Sequence, residues 1–110
     1  MKLVESPLSK EELKEIRNQY GNYIKVTVDI EKEIVVLGCE LHADGEKILL
    51  EKGSSQVDIW GGGIDLESKI IDATAVLNLR PRFENTSIEI LDKKRREAFL
   101  KIVKRYFNEL

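Results

Sequence analysis

Apolar positions change period several times along the chain, and each change predicts an element. Leu13, Ile16 and Tyr20 recur at helical intervals behind Ser9 and Glu12, the spacing of a capping box, so a first helix is expected from Ser9 to about Gly21. Lys2 to Glu5, stopped by Pro7, reads as a short edge strand. From Tyr23 the period drops to two, with Ile24, Val26, Val28 and Ile30 alternating against Lys25, Thr27 and Asp29. If Glu31-Lys32 forms a two-residue hairpin loop, Val28 faces Val35, Val26 faces Leu37 and Ile24 faces Cys39.

The same alternation continues past Gly38. It predicts Cys39, Leu41 and Ala43 pointing inward, Glu40, His42 and Asp44 pointing outward, and a type I′ turn at Asp44-Gly45 that pairs Leu41 with Ile48 and Cys39 with Leu50. A short strand around Val57 to Trp60 ends in Gly61-Gly62-Gly63. Ile71, Ala73, Ala75, Leu77 and Leu79 form one face of a further strand that Pro81 breaks, and Ser87 to Leu91 offers a last one. Asp92 caps a final helix whose apolar face is Ala98, Phe99, Ile102, Val103, Tyr106, Phe107 and Leu110. The expected fold is α+β, mainly an antiparallel sheet of five to six strands, with a short N-terminal helix and a longer C-terminal helix packed on one face. Residues 1–110 are expected to form a single domain.

Composition narrows the setting. Hydrophobic residues at 42% and charged residues at 35% exclude a disordered chain, and no apolar run approaches the ~20 residues that cross a bilayer. The opening residues hold no stretch long enough for a signal peptide, and the one cysteine, Cys39, forms no internal disulfide; both point to the cytoplasm. Lys and Glu dominate the charged set while Cys, Met and Gln are scarce, a composition resembling heat-adapted proteins. A net charge of -2 gives no global attraction to nucleic acid or membrane, and neither partner is expected.

Three segments carry a resemblance: Glu40-Leu-His42-Ala-Asp44-Gly-Glu46, the run from Gly53 to Trp60-Gly61, and Asn78-Leu-Arg80-Pro81 followed by Asn85-Thr-Ser87. Together they resemble a family of small uncharacterised prokaryotic proteins, a domain of unknown function, over roughly Tyr23 to Asp92. The resemblance implies no activity, substrate or cofactor.

Candidate chemistry is sparse. The outward row Glu40, His42, Asp44 would place three ligand types on one strand face, yet it holds the chain's only histidine, so no metal is expected and the alternative is a solvated face. The triple glycine would let backbone N–H groups approach an anion, but no phosphate-loop spacing follows it, and a bulge or turn is favoured. Arg80, Asn85, Ser87 and Glu89 would gather at the Pro81 turn, where an amide holding loop backbone reads as a staple more readily than a site. Lys93, Lys94, Arg95 and Arg96 set positive charge against the dipole of the last helix, a candidate anion-binding turn.

With no nucleophile and general base together, enzymatic activity is left open and no cofactor is expected. The favoured reading is a binding or assembly module acting through the sheet face away from the helices. There Thr27, Val36, Leu49, Trp60, Ile70 and Val76 would lie beside Glu40, His42, Asp44, Asn78, Arg80, Asn85 and Ser87, giving a homodimer or a small-ligand pocket. Trp60 would anchor the contact. The alternative is a small metal-assisted hydrolase around Glu40, His42, Asp44 and Arg80.

Overall fold

The computed structural model describes residues 1–110. Five strands, β1 (Lys2–Val4), β2 (Tyr23–Asp29), β3 (Ile34–Leu37), β4 (Ile59–Asp65) and β5 (Ile71–Asp72), form one antiparallel sheet in the order β1-β3-β2-β4-β5. Three helices accompany it, α1 (Lys10–Tyr20), α2 (His42–Glu51) and α3 (Lys93–Tyr106). The α+β class, the antiparallel sheet and the two terminal helices are those the sequence predicts.

Local chemistry sets the helix starts. The Ser9 hydroxyl accepts the Glu12 N–H at 3.1 Å while the Glu12 carboxylate accepts the Ser9 N–H, a complete capping box. The Asp92 carboxylate accepts the Arg95 N–H at 2.9 Å and so begins α3. Along β2 and β3 the predicted pairs Val28–Val35 and Val26–Leu37 are formed. The connection is longer than two residues, because Asp29 ends β2 and folds the loop by accepting the Glu31 and Lys32 N–H groups at 2.9 Å. Cys39 lies beyond the ladder and does not pair with Ile24.

α1 and α3 share one face of the sheet. Leu13, Ile16, Phe99, Ile102, Val103 and Tyr106 pack there against Ile24, Val26, Val28, Leu37 and Trp60. The chain also closes on itself in this layer, since Leu8 N–H donates to the Tyr106 carbonyl at 2.9 Å and the Tyr106 hydroxyl donates to Glu33 O at 2.6 Å.

The second face is not open. Residues 42–51, expected as strand, turn and strand, are helix α2, which lays Leu49 on Ile34, Val36 and Ile59. Gly45 is therefore a helix residue at a close approach: a Cβ there would stand 2.5 Å from Thr27 Oγ1. The expected pairs Leu41–Ile48 and Cys39–Leu50 do not exist, and Val36 and Leu49 are fully buried.

Two further strands shrink. Only Ile71–Asp72 pairs as strand; the chain then enters a 3₁₀ turn at Val76–Asn78, and Ser87 to Leu91 contributes one isolated bridge, Thr74–Glu89. In exchange β4 runs straight through the triple glycine, which is neither bulge nor turn. Gly61 takes His42 and Ala75 against one face, and Gly62 takes Phe99 and the Asp72 carbonyl against the other side of the strand.

Candidate functional site

His42 opens α2 with its ring turned down onto β4. A Cβ on Gly61 would meet His42 Cδ2 at 2.8 Å, so the glycine makes room for the imidazole. His42 Nε2 lies 2.8 Å from the Gly62 carbonyl; a carbonyl only accepts, so Nε2 carries the proton and Nδ1 keeps the lone pair. Burial lowers the His42 pKa, assisted by the Lys25 charge and opposed by the Gly62 hydrogen bond and Asp72. The ring is thus held neutral at pH 7.

Around it lies a recess of about 400 Å³ lined by Lys25, Leu41, His42, Ala43, Ala75, Val76 and Leu77. A second, of about 490 Å³, is lined by Glu46, Gln56, Val76, Leu77, Leu79, Arg80, Pro81 and Arg82. Val76 and Leu77 belong to both, so the two halves form one groove along the seam between α2 and the Val76–Asn78 turn. Its rim is apolar and wet: Val76 is 78% exposed, Leu41 63% and Leu79 48%. Leu41 and Leu79, expected under the helices, are here because α2 replaces the strand and the turn rotates Leu79 outward. A larger recess of about 600 Å³ between α1 and the C-terminal end is lined mostly by Lys10, Lys14, Arg17, Glu67, Lys69 and Glu109, and holds none of the candidate site residues.

Asn78 and Asn85 fix the turn that forms one wall. Asn78 is fully buried; its Oδ1 accepts the Gly61 N–H at 2.8 Å, and its Nδ2 donates to Gly61 O at 2.9 Å, Ile88 O at 3.0 Å and Ala73 O at 3.3 Å. Asn85 Nδ2 reaches the carbonyls of Asn78, Ser87 and Glu89, and its Oδ1 accepts the Leu91 N–H. Ser87 Oγ accepts the Glu89 N–H at 3.1 Å. Each amide satisfies backbone groups that a strand neighbour would otherwise take.

Other flagged residues disperse. Glu40 and Asp44 are exposed and share no strand face with His42, and no three His, Cys, Asp or Glu side chains converge as a metal site. Trp60 is not on a free face; it is fully buried in the α1/α3 layer, its indole N–H donating to Val57 O at 2.9 Å. Arg80 is withdrawn from solvent, its guanidinium 4.4 Å from the Trp60 ring centroid and bonded to the carbonyls of Gln56 and Ile59. At the head of α3, Lys93 lies 4.0 Å from Glu97 and Lys94 is exposed, while Arg95 and Arg96 turn back onto Phe83 O and Ile90 O. Burial pushes the Cys39 thiol pKa up, so it packs as a neutral residue.

Sequence reasoning missed the groove because it missed α2. A signal was present in Ile48-Leu49-Leu50, three consecutive apolar residues that no half-buried strand needs, followed by Gly53.

A family model described as "Protein of unknown function (DUF5674)" matches residues 2–106. No curated protein and no solved structure matches the chain.

Proposed function

The chain belongs to this family of unknown function, and from that premise, which assigns no activity, we propose that it is a small binding and assembly module working through the groove between α2 and the Val76–Asn78 turn. One observation carries the reading. Asn78, fully buried, ties the turn to Gly61, Ile88 and Ala73 through its carbonyl oxygen and its two N–H donors, while Val76 two residues earlier is held 78% exposed at its crest. A valine fixed in water by so rigid a support gains about 1.5–3 kcal/mol when a partner buries it, and Leu41 and Leu79 extend the same strip.

The partner in this reading is a second copy of the chain. A two-fold contact lets the strip on each protomer cover the strip on the other. The expected sheet-face contact anchored on Trp60 is replaced by this one, since Trp60 has no exposed surface. A cytoplasmic location, consistent with the reduced Cys39, belongs to the same reading. No observation favours the hydrolase alternative, as His42 and Arg80 are committed to separate backbone carbonyls.

Sedimentation equilibrium at micromolar concentration is expected to give twice the 12.6 kDa chain mass, and Val76→Asp to return the monomer with its circular dichroism unchanged. A monomeric unmodified protein would overturn the assembly reading.

A further inference from the structure

Three arginines converge on two aromatic rings beside the groove. Arg80 Cζ lies 4.4 Å from the Trp60 centroid and 5.0 Å from that of Phe83; Arg82 stacks on Phe83 at 4.7 Å, and Arg95, reaching over from α3, on Trp60 at 5.1 Å. Like charges gathered this way repel unless something compensates them. Only one carboxylate comes within 4 Å of any of the three, that of Glu46, 3.7 Å from Arg80 Nη1. Two positive charges remain uncompensated.

The hydrogen bonds point the same way. Arg80 commits Nη1 to Gln56 O at 2.8 Å and Nη2 to Ile59 O at 2.5 Å, but its Nε is buried with no partner. Arg82 makes one side-chain bond, to Gln56 Oε1, and Arg95 one, to Phe83 O at 3.1 Å. A guanidinium carries five N–H donors, so most on Arg82 and Arg95 are free. Rings that hold a guanidinium by its face leave its edge free to fork onto an oxyanion.

From this juxtaposition we infer that Arg82 and Arg95, backed by Arg80, form a binding site for a phosphate group carried on a small molecule. Two uncompensated charges match a phosphate dianion, where a single carboxylate would leave one over. A polynucleotide fits less well, because a chain of net charge -2 offers a long polyanion no global attraction. Arg80 and Arg82 line the groove of the proposed assembly while Arg95 lies on α3 outside it, so the titration is made at a concentration where sedimentation reports the monomer, and its failure is distinct from a failure to self-associate.

Trp60, the chain's only tryptophan, is the reporter. Titration with inorganic phosphate and with phenyl phosphate at constant ionic strength is expected to change its fluorescence saturably, and chloride to leave it unchanged. Arg82→Gln and Arg95→Gln should each raise the half-saturating concentration about tenfold, while Lys14→Gln, on α1, leaves it unmoved. Arg82 is exposed, so its variant keeps its urea midpoint and separates lost binding from lost folding. The inference is overturned if no phosphate saturates the signal, if Lys14→Gln weakens binding equally, or if only a single-stranded oligonucleotide binds, with steep salt dependence.

Discussion

The side-chain amide of Asn78 closes both hydrogen bonds of the Gly61 peptide, accepting its N–H at 2.8 Å and donating to its carbonyl at 2.9 Å. One side chain thus stands in for a neighbouring strand at the point where β5 no longer reaches β4, whose pairing with it covers only Gly63 and Ile64. The same amide carries the turn that forms one wall of the groove.

Removing that amide strands the Gly61 N–H and carbonyl in a dry interior. Asn78→Ala is expected to destabilise the fold by about 3 to 5 kcal/mol, read as a lower urea midpoint. Asn78→Asp should cost at least as much, because a carboxylate cannot donate to Gly61 O and would be buried as a charge. A loss near that of an exposed polar residue would mean the amide is not holding the strand.

The adjacent glycines make a second, discriminating test. A Cβ on Gly62 would collide with the Asp72 carbonyl, backbone that cannot swing aside, whereas one on Gly61 would meet only the side chains of His42 and Ala75 at 2.8 and 2.9 Å. Gly62→Ala should therefore cost about 3 kcal/mol or more, and Gly61→Ala less, with the His42 ring displaced. Equal effects on thermal unfolding would contradict this assignment of contacts.

His42 links stability to pH. Burial, the largest cause, sets its folded pKa below the ordinary value of 6.5; Lys25 also lowers it, while Gly62 O and Asp72 raise it. The unfolded chain then binds the proton more readily, so stability is whole above pH 6.5 and is lost as pH falls from there through the lower folded value. Urea midpoints measured from pH 8 to 5 should decline across that window, with His42→Gln flattening the profile. An NMR titration of the ring with its midpoint above 6.5 would reverse the sign and refute the prediction.

How much of this was readable in advance follows from what each residue answers to. Ser9 with Glu12, Asp92, and the pairs Val28–Val35 and Val26–Leu37 are set by neighbours close in sequence, and the pattern displays them. Gly45 answers instead to Thr27, far along the chain, which α2 approaches too closely for any side chain. A glycine after an aspartate looks the same whether it makes a turn or admits a neighbour, so the helix was hidden. Loss of α2 concealed the second core layer, left Val36 and Leu49 looking like a free surface, and sent Trp60 to the wrong side. In the candidate site His42, Asn78, Arg80 and Asn85 drew notice as residue types, while their partners, mostly backbone carbonyls, have no sequence signature.

Tyr106 donates its hydroxyl to a carbonyl 73 residues earlier, and its own carbonyl receives Leu8. A ribosome delivers α1 and the β2–β3 hairpin long before α3, so the nascent chain carries an apolar sheet face that α1 covers only in part until the last helix emerges. The fold is therefore completed late, and until then Ile24, Val26 and Val28 keep part of their apolar surface open to contact with other chains.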